Sequence, residues 1–314
     1  MRHKANSIEG QRPPAVLPIA TAAMTPDLDP MKSRERLGEL IIEAKSRRQD
    51  LRLILFGEAT LGWFHKKGES AAYHQRIAET IPGPTTDYVA GLAREHDLCV
   101  SFGLSERRGK QVHNSQVLID PAGEIVATHR KFWMRSPAFC AAERRLTLAD
   151  VDGVRVAILI CADARSLWLM RAIRRARPDI VLASLADYGT DLRLNRMMGA
   201  FYDAWNVVAN RCSEEPPLVW PGLVTITDPW ARMRAHEVGK EQVLHFRIPI
   251  VRPRAIGRLA RRVYVFFRLI ALVFGFAAAS LGRSLTKRMR SRSATCWLIL
   301  HRLGQLDFAL QVLA

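Results

Sequence analysis

The chain of 314 residues has only five cysteines, Cys99, Cys140, Cys161, Cys212 and Cys296, and no C-x-x-C pair among them. An odd, scattered set excludes a disulfide framework and a cysteine-based zinc site. It fits a reducing, cytoplasmic compartment. The nine histidines form no H-E-x-x-H pattern. No G-x-S-x-G elbow and no Gly-rich phosphate loop is present either, so zinc hydrolysis, a serine triad and nucleotide-phosphate chemistry find no support. Neither a metal nor an organic cofactor is expected. Pro13, Pro14 and Pro18 interrupt the early apolar residues, so no signal-peptide segment is expected. Long apolar runs are also missing: in the apolar segment Val263–Gly282, Arg268 comes early and the uninterrupted part, Leu269–Leu281, has 13 residues, short of the roughly 20 that a membrane-spanning helix needs.

Acidic residues are scarce, with 30 Asp and Glu against 47 Lys and Arg and a net charge of +17. The excess is local. From Arg252 onward there are twelve basic residues and one acid, Asp307, so residues 15–251 form a mildly basic body. Residues 252–314 form a basic, apolar extension, and residues 1–14 read as a loose polar arm. Nucleic acid is an unfavoured partner, because the basic residues of the extension are interleaved with long aliphatic segments rather than set in a polar groove.

Strand and helix patterns alternate along the body. Apolar runs predict strands at 15–24, 51–56, 98–104, 180–185, 207–210 and 242–248, and a hairpin joins 112–119 to 124–129 across Asp120–Gly123. Helical periodicity appears at 31–48, 86–96, 167–176 and 192–205. This is an α/β pattern in which helices cover a mixed sheet.

The most informative stretch is Val154–Arg165, in which seven residues, mostly β-branched or aliphatic, run into Cys161. Such a run reads as a strand buried on both faces, and open α/β sheets carry reactive groups at the carboxyl edge of their strands. Two more runs end on a reactive side chain: Leu51–Gly57 delivers Glu58, and Glu124–Arg130 delivers Lys131. Taken singly, a cysteine closing an apolar strand is usually a small core residue, and a strand-end Glu or Lys is usually solvated. The combination is what points to chemistry.

Glu58, Lys131 and Cys161, in this order and within Phe56-Gly57-Glu58, Arg130-Lys131-Phe132 and Ile160-Cys161-Ala162-Asp163-Ala164-Arg165, resemble the Glu-Lys-Cys triad of the nitrilase superfamily of carbon-nitrogen hydrolases. Asn114-Ser115 and Asp120-Pro121-Ala122-Gly123-Glu124 resemble the family's hairpin before the lysine. The likeness runs from about Ala15 to about Ile250. It implies an α-β-β-α sandwich and hydrolysis of a linear amide or N-carbamoyl group through a thioester on Cys161. Glu58 would serve as general base and acid. Lys131 and the N–H of Ala162 would stabilise the oxyanion. Glu143 resembles a second glutamate that positions the lysine and substrate. Ala162-Asp163 after the cysteine is closer to amidase and carbamoyl-hydrolase members than to nitrilases, where Trp-Glu commonly follows. Trp63, Phe64, Trp133 and Tyr188 are candidates for the pocket lining, with core packing as the ordinary alternative. Asp163 and Arg165 fit the family's positions and equally fit a structural salt bridge or helix cap.

The resemblance implies a homo-oligomer acting on a small amide or carbamoyl substrate. Three readings of the extension stay open: a membrane-surface helix over 262–292, a helix buried in a dimer, or a segment with no partner. Two alternative functions go with them, an N-acyltransferase using the same triad at a membrane and a non-catalytic basic membrane-binding protein.

Overall fold

The computed structural model describes residues 13–134, 136–188, 192–252, 257 and 259–267. The chain enters through β1 (Val16–Ala23) and turns into α1 (Pro30–Arg47). The Asp29 carboxylate caps α1 by accepting from the Met31 N–H at 2.9 Å, and Pro30 occupies the first turn, where its missing N–H costs nothing. Next come β2 (Leu53–Phe56), α2 (Ser70–Ile77) and α3 (Pro84–Glu95). The strands β3 (Cys99–Arg108), β4 (Gln111–Ile119) and β5 (Ile125–Arg130) form an antiparallel meander. A hairpin of β6 (Thr147–Val151) and β7 (Val154–Ile160) leads into a 3₁₀ turn, Cys161–Arg165. After it come α4 (Leu167–Ala176), β8 (Ile180–Leu185), α5 (Leu192–Tyr202) and β9 (Trp205–Asn210). Five further strands complete the body: β10 (Cys212–Glu215), β11 (Leu218–Pro221), β12 (Val224–Thr227), β13 (Met233–Glu237) and β14 (Gln242–Pro249).

These strands form two six-stranded sheets, in the orders β14-β1-β2-β3-β4-β5 and β13-β12-β9-β8-β7-β6, with β10 and β11 paired separately. Alternation along each central strand divides its side chains between two cores. On β2, Leu53 and Leu55 face the other sheet, while Ile54 and Phe56 face α1 and α3. On β7, Val154, Val156 and Ile158 point into the space between the sheets, and Ala157 and Leu159 pack under α4 and α5. Two sheets back to back, each with helices on its outer face, make the α-β-β-α sandwich. Continuous apolar runs are the sequence mark of such doubly covered strands.

Several elements were not anticipated. α2 is eight residues long and buries only Tyr73 and His74, too few turns for a helical period to show. β6 is an edge strand that buries only its two end residues. β10 and β11 are four residues each, Cys212-Ser213-Glu214-Glu215 and Leu218-Val219-Trp220-Pro221, too short for an alternating pattern, and Glu215 accepts from the His65 N–H in the loop after β2. β3 runs to Arg108, past its apolar part, because Ser105 and Glu106 are buried by polar partners.

Residues 259–267 are helical. The remainder of the extension, 268–314, and the arm up to residue 12 lie outside the described residues. No helix among the described residues is long and apolar enough to cross a membrane.

Candidate active site

Glu58, Lys131 and Cys161 each follow directly on the end of a strand, β2, β5 and β7, or one residue beyond it. The Glu58 N–H donates to the carbonyl of Leu185 at the end of β8, at 3.2 Å, so the loop after β2 reaches across to the second sheet. Gly57 permits that approach. A β-carbon there would stand 3.1 Å from the Arg211 nitrogen and 3.3 Å from the Leu185 carbonyl oxygen.

Cys161 breaks β7 sharply. Its φ is +44°, in the left-handed region that costs a non-glycine residue about 1–3 kcal/mol. This kink turns the thiol out of the sheet and starts the 3₁₀ turn, whose first N–H groups, that of Ala162 included, lack helical acceptors. The strain yields a prediction. Cys161→Gly should be more stable than Cys161→Ala by about 1 kcal/mol in urea denaturation. The usual order, alanine above glycine, would contradict the strained turn.

The Glu58 carboxylate is fully buried and accepts three hydrogen bonds. Oε1 receives Lys131 Nζ at 2.5 Å and Asn114 Nδ2 at 2.6 Å, and Oε2 receives the Ala186 N–H at 2.9 Å. Cys161 Sγ lies 3.9 Å from the carbonyl oxygen of the same Ala186. The thiol and the carboxylate are thus held by the two main-chain groups of one residue. Lys131 is fixed through its backbone as well: its N–H donates to Asn114 O at 2.9 Å, and its carbonyl accepts from Ala142 N–H at 3.1 Å.

Burial and the Glu58 charge push the Cys161 thiol up to about 12, against the opposing pull of Lys131. The Cys161 sulfur is therefore held as a neutral thiol at neutral pH. For Lys131, burial acts against the ammonium, but Glu58 and Cys161 outweigh it and raise its pKa. The cluster consequently holds a buried carboxylate–ammonium pair beside a protonated sulfur. Such an arrangement can pass a proton from sulfur to carboxylate as the sulfur attacks, with a fixed cation waiting for negative charge on oxygen.

Three supports hold the cluster in place. Asp163, two residues past Cys161, accepts from the Trp133 N–H at 2.8 Å through Oδ1 and meets His129 Nε2 at 3.0 Å through Oδ2, while His129 Nδ1 contacts Thr147 Oγ1 at 2.9 Å. Asp163 therefore grips the lysine segment two residues before and two residues after Lys131. The Arg130 guanidinium makes a forked pair with Glu106 at 2.5 and 2.6 Å. Arg211 donates to the carbonyls of Glu58, Ala59 and Gly62 and pairs with Glu215, so it clamps the loop that carries the glutamate. Asp163→Asn should keep the contact to Trp133 but weaken the one to His129. The expected result is a roughly tenfold to hundredfold loss in kcat with little change in KM, measured by steady-state kinetics. A change confined to KM would place Asp163 among substrate-binding groups instead.

The structure brings Phe64 and Tyr188 together around Trp220. Phe64 meets it edge-on at 5.6 Å, and Tyr188 stacks on it at 4.5 Å. Burial, followed by the neighbouring Asp187 charge, raises the pKa of the Tyr188 phenol. Trp63 is half-buried, and its N–H donates to the Tyr73 hydroxyl at 3.0 Å. Trp133 contributes its main chain to Asp163 but exposes its side chain. Glu143 is exposed, one residue beyond the Ala142 N–H that contacts Lys131. Asp163 is held in structural hydrogen bonds to His129 and the Trp133 N–H, and Arg165 is exposed.

Sequence reasoning missed Asn114 as a Glu58 partner, Ala186 as the shared main-chain contact, and Arg211 and Trp220. Two signals were available. His113-Asn114-Ser115-Gln116 is a run of four polar residues inside a strand, and all four are buried. Arg211 directly follows the apolar end of β9, as Glu58, Lys131 and Cys161 follow theirs.

The class that fold and site define is matched by the family model for carbon-nitrogen hydrolases, over residues 18–247. The chain belongs to that family. Among curated relatives, the formamidase of Bacillus cereus (strain Q1) is 27% identical over 194 residues, which cover 60% of this chain and 56% of the formamidase. The match thus spans little more than half of that relative's length. Among solved structures, a glutamate-to-glutamine mutant of the amidase from Nesterenkonia sp. AN1 superposes with a TM-score of 0.66 at 21% identity, covering 76% of this chain and 93% of that one. That structure shows covalent addition of the acetamide moiety of fluoroacetamide at the active-site cysteine. Saccharomyces cerevisiae Nit3, of branch 10 of the nitrilase superfamily, gives a TM-score of 0.68 at 14% identity, covering 76% of this chain and 91% of its own. At these identities the solved structures speak for the fold.

Proposed function

We propose that this protein hydrolyses a linear, non-peptide carbon–nitrogen bond of a small amide or carbamoyl compound, releasing ammonia, with Cys161 as nucleophile. As the sulfur attacks the carbonyl carbon, the S–H proton passes to Glu58. The carbonyl oxygen, now anionic, is stabilised by Lys131 and the Ala162 N–H. Glu58 returns the proton to the nitrogen, the C–N bond breaks, and ammonia leaves a thioester on Cys161. Water then gives a proton to Glu58 and attacks the thioester. The C–S bond breaks, and the proton on Glu58 restores the thiol.

One observation carries this reading: a fully buried carboxylate–ammonium pair sits beside a thiol on a strained strand-end turn, with Ala186 holding both the carboxylate and the sulfur. The formamidase likeness and the amide adduct on the Nesterenkonia cysteine support short amides as the first substrates to try. Ammonia release from formamide, acetamide, an N-carbamoyl amine and a nitrile should single out the amide or carbamoyl compounds. It should vanish in Cys161→Ala. Turnover that survives this substitution, or acyl donor consumed without free acid appearing, would contradict hydrolysis through a Cys161 thioester.

A further inference from the structure

The helices of one layer of the sandwich carry charge of a single sign. The helices α4, α5 and 259–267 together contain seven arginines and no aspartate or glutamate, whereas α1 and α3 on the opposite layer mix both signs. On the outer side of α4, Trp168, Arg171 and Arg175 share one face and are exposed. Arg174, on the same helix, feels both Asp203 and Arg262, so α4 lies alongside the terminal helix.

That terminal helix is turned inside out. Arg261 points inward to an ion pair with Asp203 at 2.6 Å, and Val265 joins the core under α4 and α5. Leu259, Val263, Phe266 and Phe267 face solvent, with Leu259 and Phe267 63% and 64% exposed. An exposed apolar stripe rimmed by cations marks a surface that something covers.

Charge decides between the occupants. A second copy meeting this face across a two-fold axis would set arginine against arginine. Residues 268–314 contribute seven more basic residues and one acid, Asp307, and so offer no balancing charge. An anionic bilayer supplies both an apolar interior and negative headgroups. We infer that the face formed by α4 and helix 259–267 docks the protein on anionic membrane surfaces, with Leu259, Val263, Phe266 and Phe267 entering the headgroup boundary and Arg171, Arg175 and Arg262 meeting lipid phosphates. This inference is independent of the chemistry at Cys161.

The test is co-sedimentation of the full chain with vesicles of phosphatidylcholine alone or mixed with phosphatidylglycerol, at about 0.1 M and 0.5 M salt. The expected result is partition onto the mixed vesicles only, weakening at the higher salt. The double variants Val263→Asp/Phe267→Asp and Arg171→Glu/Arg175→Glu should each lower the partition by about tenfold or more and leave amide turnover unchanged. All four side chains are exposed, so folding is preserved. Wild-type protein that stays in the supernatant, equal partition onto both vesicle types, or variants that bind like wild type would each overturn the inference. So would a wild-type dimer that ignores vesicles and is split by Val263→Asp/Phe267→Asp, because a second copy would then be the occupant.

Discussion

Replacing Glu58 with glutamine is expected to lower amide turnover by roughly a thousandfold while making Cys161 easier to alkylate. The two effects run in opposite directions because Glu58 has two influences on the sulfur. In the proposed mechanism it is the proton acceptor that turnover requires, and it is also a negative charge that, with burial, holds the thiol neutral. Glutamine retains an oxygen for Lys131 and Asn114 but carries no charge. With the Glu58 charge gone, burial is left as the main opposition to Lys131, so the thiol pKa would fall from about 12 and the thiolate fraction at neutral pH would rise. Rates of inactivation by iodoacetamide, followed by intact mass between pH 6 and 10, check this. In the native protein the rate should still be climbing at pH 10, whereas in Glu58→Gln the rise should come at lower pH. Native protein whose rate levels off near neutrality would mean a preformed thiolate and a different first step.

Lys131→Met is expected to abolish turnover and to destabilise the fold by about 3–5 kcal/mol, because it leaves a buried carboxylate with no cation. Glu58 is fully buried and keeps only the Asn114 and Ala186 donors once the ammonium is gone. Urea denaturation at pH 7 reads the loss. The double variant Glu58→Gln/Lys131→Met removes both charges and should recover most of the lost stability while staying inactive. If the single and double variants were equally unstable, the pair would matter through packing rather than charge. The oxyanion role of Lys131 would then need another basis.

Much of this was legible from the chain because doubly buried strands leave a strong trace. Val156–Ile160 and Ile180–Ala183 are continuous apolar runs, and the residues just past such a run are those a sheet edge presents. That is why Glu58, Lys131 and Cys161 stood out. The division of the strands into two sheets was not readable from periodicity, since both faces of each central strand are apolar. The sandwich came only with the family resemblance. Main-chain contributors such as Ala186 leave no mark in side-chain chemistry. Arg211 and Asn114 read as ordinary polar residues until the fold places them against Glu58. Trp133 was singled out for its aromatic ring, whereas the contribution of its N–H to Asp163 left no trace in the sequence.

The account rests on an acyl group passing through sulfur. Rapid acid quenching of the native protein during turnover of a slow amide, followed by intact mass and peptide mapping, tests that step most directly. The predicted result is a mass increase equal to the acyl group, confined to the peptide containing Cys161, absent from Cys161→Ala and lost once the substrate is exhausted. Ammonia production that proceeds with no acylated Cys161, or with the acyl group on another residue, would contradict it.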